Sequence, residues 1–523
     1  MMTGANWRNS MALSKTDLQY IIVQAGGRGS RMERLTRNKP KALVPVNSRP
    51  LIFHLFSLFP KAKFIVIGDY RFDVLEKYLA AFCPVEYELV NAAGKKGNCA
   101  GLSAALEKIP QSTRFMLIWC DLILAEDYRV PEEDDSFIGI AADFQCRYQY
   151  RDGALVKENA VGHGVAGQFV FSDKSVLKGV PEEGEFADWL AAVHIPFREH
   201  VLTDTREYGR LAVWEKLPLS RCRSFNRLEV SDERVVKHPV DPQGAALAEK
   251  EAFWYRQVRQ AGFSAIPRID SDSPLSMERI DGRNVYEYGT CSREERAAVL
   301  RKLVACLRSL HELGTTEADR TSYYEAYIGK TFRRLETVRE LIPFAADEFI
   351  TVNGRRCRNI FFHRRELEER ILRYLPERFC LIHGDCTFSN ILLRQDGSPV
   401  LIDPRGYFGF TELYGDPAYD WVKLYYSLVG NYDQFNLKRF DLAVEEESVT
   451  VSVCSNGWED VEEEFFALLN GEVDRRQMLL LMAVVWLSLT TYVWEDYDSV
   501  CGAFYLGTWY FEQALDEALS CGE

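Results

Sequence analysis

The chain has 523 residues and a formal net charge of −14. At about 150 residues per domain, this length predicts about three to four domains. Hydrophobic residues make up 47% and charged residues 27%, which is ordinary globular composition and excludes collagen-like and low-complexity classes. The acidic balance argues against a nucleic-acid partner, whose binding surfaces are usually basic.

The cysteines and the hydropathy of the chain indicate its cellular compartment. The 13 cysteines are scattered, odd in number and without a C-x-x-C pair, which predicts reduced thiols in a cytoplasmic protein. Residues 1–17 have no apolar core, so we expect no signal peptide. The uncharged stretch from Met478 to Trp494 is short for a membrane span and contains hydroxyl side chains. It predicts a buried helix rather than membrane insertion.

Strand and helix patterns alternate over the first 130 residues. Apolar runs predict strands at 20–24, 64–68 and 115–120, with a helix at 74–82 and a further strand at 167–171. Apolar strands separated by helices predict an α/β domain with a mostly parallel sheet covered on both faces. We assign residues 1–17 to an N-terminal extension and place the domain boundary between Pro218 and Phe225.

A different pattern follows the boundary. Two short strands, 227–230 and 234–237, flank a turn and precede a helical run at 245–261. Long helical stretches follow at 293–313, 323–341 and 364–375, and a hairpin at 381–403 interrupts them. The domains are therefore predicted as residues 18–222 and 223–523.

A glycine-rich loop directly follows the first strand. Residues 24–32 read Q-A-G-G-R-G-S-R-M, and such glycines let a loop curl and present N–H groups to phosphates. The third glycine of the dinucleotide fingerprint is missing, which disfavours a dinucleotide site. Lys41 follows within K-P-K-A-L-V-P-V. Arg31 and Lys41 would supply two cations for a triphosphate and its displaced pyrophosphate.

These two motifs together resemble the nucleotidyltransferase family that makes NDP-sugars and NDP-alcohols, over about residues 18–219. The resemblance implies a Rossmann-like fold and a Mg²⁺ cofactor. It also implies that NTP phosphates are held by Ala25, Gly26, Gly27, Gly29, Ser30, Arg31 and Lys41. Asp121, at the end of a predicted strand, matches the family's metal-binding Asp. Asp204 is our candidate for the second metal carboxylate, with Glu207 close by.

Two further stretches bear on the nucleotide. Residues 94–102, G-K-K-G-N-C-A-G-L, depart from the pattern of the sugar branch. Asn98 followed by Leu102 is more similar to the cytidylyltransferases for phosphocholine and related alcohols, as is G-E-F-A-D-W at 184–189. The similarity favours CTP, although no residue reads the base unambiguously.

The predicted hairpin carries a second constellation, L-I-H-G-D-C-T-F-S-N at 381–390 and L-I-D at 401–403. Asp396-Gly397 predicts a tight turn. In a regular hairpin around that turn, Asn390 and Asp403 face each other, where they can share one or two Mg²⁺ ions. Asp385 then lies on the approach loop and can orient and deprotonate a hydroxyl.

This constellation resembles the aminoglycoside phosphotransferase and choline kinase family, from about Phe225 to the end. The resemblance implies a two-lobed, protein-kinase-like α+β domain. It implies that Asp385 is the catalytic base, that Asn390 and Asp403 bind Mg²⁺, and that Lys237 grips ATP with Glu251, or alternatively Glu249, as its partner. We find no glycine-rich cover for the ATP phosphates and interpret Asp420 as a helix cap.

A G-K-T tripeptide and a group of aromatic residues could each suggest a further binding site. Gly329-Lys330-Thr331 contains G-K-T, but Tyr324 stands where a P-loop needs glycine. Several aromatic residues at helical spacing are candidates for a cage around a quaternary ammonium group or, more often, for core. They are Tyr419, Trp421, Tyr425, Trp486, Tyr492 and Trp494.

The two halves fit one pathway, because a kinase makes the phosphomonoester that a nucleotidyltransferase needs. We predict a bifunctional enzyme that phosphorylates a small alcohol with ATP and transfers a cytidylyl group from CTP to the product. Choline or ethanolamine is the favoured alcohol, and the resemblance implies that the CDP-alcohol serves surface glycan decoration. A sugar kinase joined to a sugar-1-phosphate nucleotidyltransferase, and a nucleotide-sensing module with one inactive domain, stay open. So does the oligomeric state.

Overall fold

The computed structural model describes residues 18–217, 226–240 and 242–520. These divide into two compact units. The first contains the residues up to 217 together with Glu495–Tyr497, and the second contains the rest. The predicted N-terminal extension and the predicted boundary between Pro218 and Phe225 lie outside the described residues. The assignment of 18–222 and 223–523 to two domains stays a prediction.

The first unit is built on a sheet whose central strands are parallel. Tyr20–Gln24 pairs in parallel with Lys63–Gly68 on one side and with Phe115–Trp119 on the other, and Tyr87–Asn91 pairs in parallel with Lys63–Gly68. The first three of these strands are buried along almost their whole length, as expected for parallel strands covered on both faces. The predicted α/β domain with a mostly parallel sheet is confirmed.

Antiparallel strands extend this sheet beyond Phe115–Trp119, where Gly164–Phe171 pairs antiparallel with it. Within the described residues the sheet has nine strands. The remaining four are Phe137–Ala141, Gln149–Arg151, Ala154–Val156 and Arg198–Leu202. The α-helices of this unit are Leu51–Leu58, Phe72–Phe82, Leu102–Glu107, Phe186–Val193 and Leu211–Trp214.

The register of the parallel strands brings two predicted site segments to one edge. Gln24 pairs with Trp119 at the carboxyl ends of their strands. The glycine loop begins directly after Gln24, and Asp121 follows Trp119 by two residues. Both therefore emerge at the edge where open α/β sheets bind ligands.

The second unit begins with a four-stranded antiparallel sheet and a helix. The sheet has the order Asn226–Val230, Arg234–Pro239, Leu275–Glu278, Ile269–Asp272, and Pro242–Gln260 forms the helix. The first two strands and the helix lie where the sequence predicts them, whereas the strands Leu275–Glu278 and Ile269–Asp272 were not predicted. The rest of the unit is mainly helical, and its α-helices are Arg293–His311, Arg320–Tyr324, Lys330–Val338, Arg364–Leu372, Pro417–Leu428, Tyr432–Asn436, Glu462–Leu469, Arg475–Leu489 and Tyr497–Ser520.

Short sheets accompany these helices. Their strands are Gly282–Asn284, Thr315–Glu317, Phe349–Val352, Arg355–Arg358, Arg378–Leu381, Ile391–Arg394, Pro399–Leu401, Tyr407–Phe408, Thr411–Glu412, Tyr414–Gly415, Phe440–Val444 and Val449–Val453. The helix Arg475–Leu489 is buried from Met478 to Leu487, so the apolar stretch there is core, as predicted. In the part of the chain that the structure describes, no helix is long and apolar enough to cross a bilayer.

The hairpin differs from its prediction by one residue. Its register pairs Ile391 with Leu401, so the loop is three residues long, Gln395 to Gly397, and Gly397 is left-handed with φ 75°. Asn390 consequently lies opposite Ile402, whose N–H donates to the Asn390 carbonyl at 2.9 Å. The prediction that Asn390 and Asp403 face each other is wrong by one position, although both stand at the open end.

Two candidate active sites

The glycine loop of the first unit runs from a buried to an exposed position. Ala25 is buried and its N–H donates to the Ile67 carbonyl at 2.8 Å. Gly26 is half-buried, whereas Gly27 and Ser30 are exposed. Gly29 is left-handed, with φ 65°, a conformation that glycine adopts without strain. The loop thus starts in the sheet and opens to solvent, as a phosphate-binding loop must.

Lys41 and Asp121 form an ion pair at the carboxyl edge of the sheet. Both side chains are about nine-tenths buried. Burial alone would lower the pKa of Lys41, but the charge of Asp121, supported by Cys120 and Glu207, outweighs it and raises the pKa. Lys41 is therefore held as a cation beside the predicted metal ligand.

Glu207, rather than Asp204, is the second carboxylate at this place. The short strand Arg206–Glu207 pairs with Leu122–Ile123 and sets Glu207 opposite Leu122, next to Asp121. Burial and the charge of Asp121 raise the pKa of Glu207. Arg31, whose side chain is half-exposed, lies 3.8 Å from Glu207 between Nη2 and Oε1.

The structure leaves Asp204 apart from this cluster. It is exposed, in a turn after Arg198–Leu202, and its φ is 50°. The strand pairing that carries Glu207 to Asp121 begins only at Arg206. The expectation that Asp204 is the second metal carboxylate is therefore corrected in favour of Glu207, because the loop reaches Asp121 three residues later than expected.

Asn98 holds two chain segments together. Its side-chain oxygen accepts the N–H of Phe186 at 2.5 Å, and its carbonyl accepts a hydrogen bond from Gln24 Nε2 at 2.6 Å. Asn98 thus fixes the G-E-F-A-D-W stretch against the end of the first strand. In this position it shapes the loop beside the glycine-rich segment.

The pair Asp121 and Glu207 fits a divalent cation. Asp121 is buried and Glu207 is half-buried, and burial together with the negative charge of Asp121 raises the pKa of Glu207. Mg²⁺ is commonly bound by one or two carboxylates together with substrate phosphates. A bound ion would relieve the repulsion and bring positive charge to the phosphates beside Lys41.

In the second unit, Lys237 stands between two carboxylates. Its Nζ lies 2.6 Å from Glu251 Oε1 on the following helix and is also ion-paired with Asp403. Glu249, the alternative partner, is exposed. Lys237 and Glu251 are buried, so a buried ion pair joins the strand Arg234–Pro239 to the following helix.

Asp385, Asn390 and Asp403 converge at the open end of the hairpin. Asn390 Nδ2 donates to the Asp385 carbonyl at 2.8 Å and to Asp385 Oδ2 at 3.2 Å. Asp403 follows Ile402, the residue paired with Asn390, and its N–H donates to the Tyr255 hydroxyl at 3.2 Å. The Asp403 side chain is about half-exposed. An amide oxygen and a carboxylate in this arrangement fit Mg²⁺ bound to a triphosphate.

Asp420 organises the backbone before Asp385. Its two oxygens accept the N–H groups of His383 at 2.9 Å and Gly384 at 2.7 Å, and His311 Nε2 lies at 3.0 Å. Burial would raise the pKa of this carboxyl, but the His311 contact and the hydrogen bonds lower it. The cap of helix Pro417–Leu428 is Asp416, which accepts the Ala418 N–H at 3.0 Å. The interpretation of Asp420 as a cap is therefore wrong.

His383 links the two strands of the site. Its Nε2 donates to the Ile402 carbonyl at 2.9 Å, while Nδ1 accepts the Asp385 N–H at 3.2 Å. Burial lowers the pKa of His383, which keeps the ring neutral with its proton on Nε2. The His383 side chain therefore joins the backbone of Asp385 to the backbone of Ile402.

Lys423 is a site residue that sequence reasoning missed. It lies on helix Pro417–Leu428, and its Nζ is 2.9 Å from Asp385 Oδ1. The spacing could have pointed to Lys423, because a residue three positions after Asp420 lies on the same face of the helix. Of the six aromatic candidates for a cage, Tyr419, Trp421, Tyr425 and Trp486 are buried in the core, whereas Tyr492 is exposed.

Comparisons with known proteins agree with this division. Residues 21–129 match the MobA-like NTP transferase domain, and residues 217–443 match the phosphotransferase enzyme family. The chain is a fusion of a nucleotidyltransferase domain and a phosphotransferase domain. The family resemblances stated from the sequence are confirmed for both parts of the fusion.

Two curated relatives are named as mannose-1-phosphate guanyltransferases. A mannose-1-phosphate guanyltransferase from Neurospora crassa is 28% identical over 152 residues, which are 28% of this chain and 36% of that protein. One from Gibberella zeae is 29% identical over 134 residues, 25% of this chain and 32% of that protein. The matched segment thus spans about a third of the length of these relatives.

Solved structures are similar over 38% of the chain. An inositol-1-phosphate CTP transferase from T. maritima is 18% identical, covers 38% of this chain and 94% of its own, and has a TM-score of 0.32. A CTP:phosphocholine cytidylyltransferase from Streptococcus pneumoniae is also 18% identical, covers 38% and 97%, and has a TM-score of 0.31.

Proposed function

We propose that the fusion phosphorylates a small alcohol with ATP and then transfers a cytidylyl group from CTP to the resulting phosphomonoester. The observation that carries this proposal is the presence of a complete polar set in each unit. Lys41, Asp121 and Glu207 form one, and the other consists of Lys237, Glu251, Asp385, Asn390 and Asp403. The product of the second set is the nucleophile that the first requires.

In the phosphotransferase step, the acceptor oxygen forms a bond to the γ-phosphorus of ATP. The bond from that phosphorus to the bridging oxygen breaks, ADP leaves with the electron pair, and Asp385 takes the hydroxyl proton. Lys237, held by Glu251, binds the ATP phosphates. Mg²⁺ held by Asn390 and Asp403 would neutralise the developing charge on them.

In the nucleotidyl step, a phosphate oxygen of the monoester attacks the α-phosphorus of CTP and pyrophosphate leaves. The glycine loop supplies backbone N–H groups, and Lys41 and Arg31 supply positive charge for the departing pyrophosphate. Mg²⁺ held by Asp121 and Glu207 would neutralise part of the negative charge on the same phosphates.

The preference for CTP rests on the similarity of the Asn98 and 184–189 stretches to cytidylyltransferases of small alcohols. A second candidate function joins a sugar kinase to a sugar-1-phosphate nucleotidyltransferase. It is favoured by the match to mannose-1-phosphate guanyltransferases, which use a hexose phosphate according to their names.

Incubation with ATP, an NTP panel and a panel of alcohols and sugars, read by mass spectrometry, tests both candidates. We expect a CDP-alcohol that requires both nucleotides. Preferential formation of a GDP- or UDP-sugar from a hexose 1-phosphate would favour the second candidate. ADP release with no nucleotidyl product from any phosphate would contradict the coupled function.

A further inference from the structure

Basic side chains surround the ring of Tyr419, next to the phosphotransferase site. Lys330 Nζ lies 5.9 Å, Lys423 Nζ 6.0 Å and Arg405 Cζ 5.8 Å from the ring centroid. Arg405 Nη1 also donates to the Tyr419 hydroxyl at 2.6 Å. Tyr419 is 4% exposed, so the three cations lie around a buried ring.

Arg334 adds a further positive charge to this group. It lies one helical turn after Lys330 on Lys330–Val338, stacks on Tyr492 at 4.2 Å and donates to the Ser488 carbonyl at 2.6 Å. Burial, together with the charges of Arg405, Arg334 and Lys423, holds the pKa of Lys330 well below its ordinary value. We call these four side chains, Lys330, Arg334, Arg405 and Lys423, the cation set.

Among the described residues, two carboxylates face the cation set. Asp385 faces Lys423 at 2.9 Å. Glu325 faces Lys330, but it is itself paired with Arg333, whose Nη1 lies 3.0 Å from its Oε2. The hydrogen bonds of Arg405 and Arg334 go to tyrosine hydroxyls and a backbone carbonyl. Positive charge is thus in excess beside Asp385.

The cation set belongs to the loop that positions Asp385. The Arg405 N–H donates to the His383 carbonyl at 2.9 Å, and the Arg405 side chain packs against Gly384. Lys423 touches the Asp385 carboxylate itself. A small molecule whose hydroxyl lies at Asp385 is therefore within reach of these charges.

We propose that the acceptor alcohol of the phosphotransferase domain is an anion, and that the cation set binds a carboxylate or phosphate group on it while its hydroxyl lies at Asp385. The proposal rests on the proposed kinase function and names its substrate class. It argues against choline and ethanolamine, because an ammonium group would meet like charge in a half-buried place. Arginine suits both acidic groups, since its planar fork matches either of them.

The test compares acceptors that differ only in charge. Polyols of three to six carbons are supplied as neutral, carboxylate-bearing and phosphate-bearing forms, for example glycerol, glycerate and glycerol 3-phosphate, alongside choline and ethanolamine. ADP formation is measured with Mg²⁺-ATP. We expect kcat/KM for the best anionic acceptor to exceed that of its neutral partner at least about tenfold, and the two acidic forms show which group is preferred.

Charge-neutralising variants locate the effect. Lys330→Gln and Arg334→Gln should raise the KM for the anionic acceptor at least about tenfold, with the KM for ATP within about twofold, and Lys330→Arg should restore most of the affinity. Arg365→Gln is the matched control, because it removes one positive charge from a side chain that is 92% exposed on another helix. It should leave all constants unchanged.

Three results would overturn the proposal. They are a preference for choline or ethanolamine, a rise in the KM for ATP rather than for the acceptor in Lys330→Gln, and equal effects of Lys330→Gln and Arg365→Gln. ADP formation with no acceptor at all would instead count against the kinase function. Calorimetric binding of glycerate and glycerol 3-phosphate then decides: binding that Lys330→Gln abolishes supports the anion site, and binding that it leaves unchanged contradicts it.

Discussion

Lys423 holds the carboxylate of Asp385, with 2.9 Å between Nζ and Oδ1. Burial would lower the pKa of Lys423, but the charge of Asp385 outweighs it and raises the pKa. Three residues earlier on the same helix, Asp420 accepts the Gly384 N–H. One helix therefore fixes both the backbone before Asp385 and the direction of its carboxylate. A carboxylate paired in this way is suited to orienting a hydroxyl.

Asp385 and Asp403 should fail in different ways. Asp385→Asn should lower kinase turnover by about 10²–10⁴-fold and keep Mg²⁺-ATP binding, because Asp385 is expected to touch the hydroxyl. Asp403→Asn should weaken Mg²⁺-ATP binding and stop turnover. Calorimetry paired with a kinase assay separates the two, and cytidylyl transfer to pre-formed alcohol phosphate is the internal control. Loss of ATP binding in Asp385→Asn with normal turnover in Asp403→Asn would reverse the assignment.

The nucleotidyltransferase site offers a matched pair of acidic residues. Asp121→Asn and Glu207→Gln should each abolish pyrophosphate release, since each removes one of the two neighbouring carboxylates. Asp204→Asn removes an exposed carboxylate three residues before Glu207 and should retain activity within about twofold, as surface substitutions usually do. Pyrophosphate release with CTP and an alcohol phosphate is the measurement. An inactive, folded Asp204→Asn beside an active Glu207→Gln would restore the sequence-based choice.

Asp420 should matter for stability as well as for turnover. Asp420→Asn removes a buried charge that faces His311 and two backbone N–H groups, and loss of one partner of a buried pair typically costs about 3–5 kcal/mol. We expect a lower melting temperature and a loss of kinase activity. Glu447→Gln, which removes an exposed charge, serves as the control. A melting temperature equal to that of the control would mean that Asp420 contributes little.

Asp416 gives a pH dependence of stability. Burial raises the pKa of Asp416 to about 6, whereas an unfolded Asp titrates near about 3.9. Between those values the unfolded state binds fewer protons than the folded state, so this group's contribution to stability falls as pH rises from about 4 to 6. Asp416→Asn keeps a cap acceptor and removes the titration. The melting temperature of the variant relative to wild type should therefore be higher at pH 7 than at pH 4. A difference independent of pH would refute this.

Local patterns predicted the main elements and several site residues. The glycine loop, Asp121 and the segment from His383 to Asn390 each lie within one short stretch, where strand periodicity and turn residues set the geometry. Lys237 and Glu251 are hydrogen-bonded partners, as the resemblance to the phosphotransferase family implied.

The site residues that the sequence did not predict depend on contacts between distant parts of the chain. Glu207 replaces Asp204 beside Asp121 because of a two-residue strand pairing that no local pattern encodes. The cation set joins residues 330, 334, 405 and 423, which no single sequence pattern brings together. Lys330 stands out in the sequence only as part of the G-K-T that lacks P-loop spacing. The hairpin was misplaced because Asp-Gly suits both a two-residue loop and the observed three-residue loop, in which only the final glycine needs a positive φ.

The length of that loop has a consequence for insertions and deletions. Surface loops usually tolerate a residue more or less, and Gln395 and Asp396 are exposed. Here Pro399–Leu401 leads directly to Asp403, while Ile391–Arg394 leads back to Asn390. A single deletion between 395 and 397 leaves either a two-residue turn in the same register or strands slipped by one residue, and a one-residue slip turns every side chain to the opposite face. A slip caused at the solvent-facing tip would therefore displace the proposed metal ligands Asn390 and Asp403.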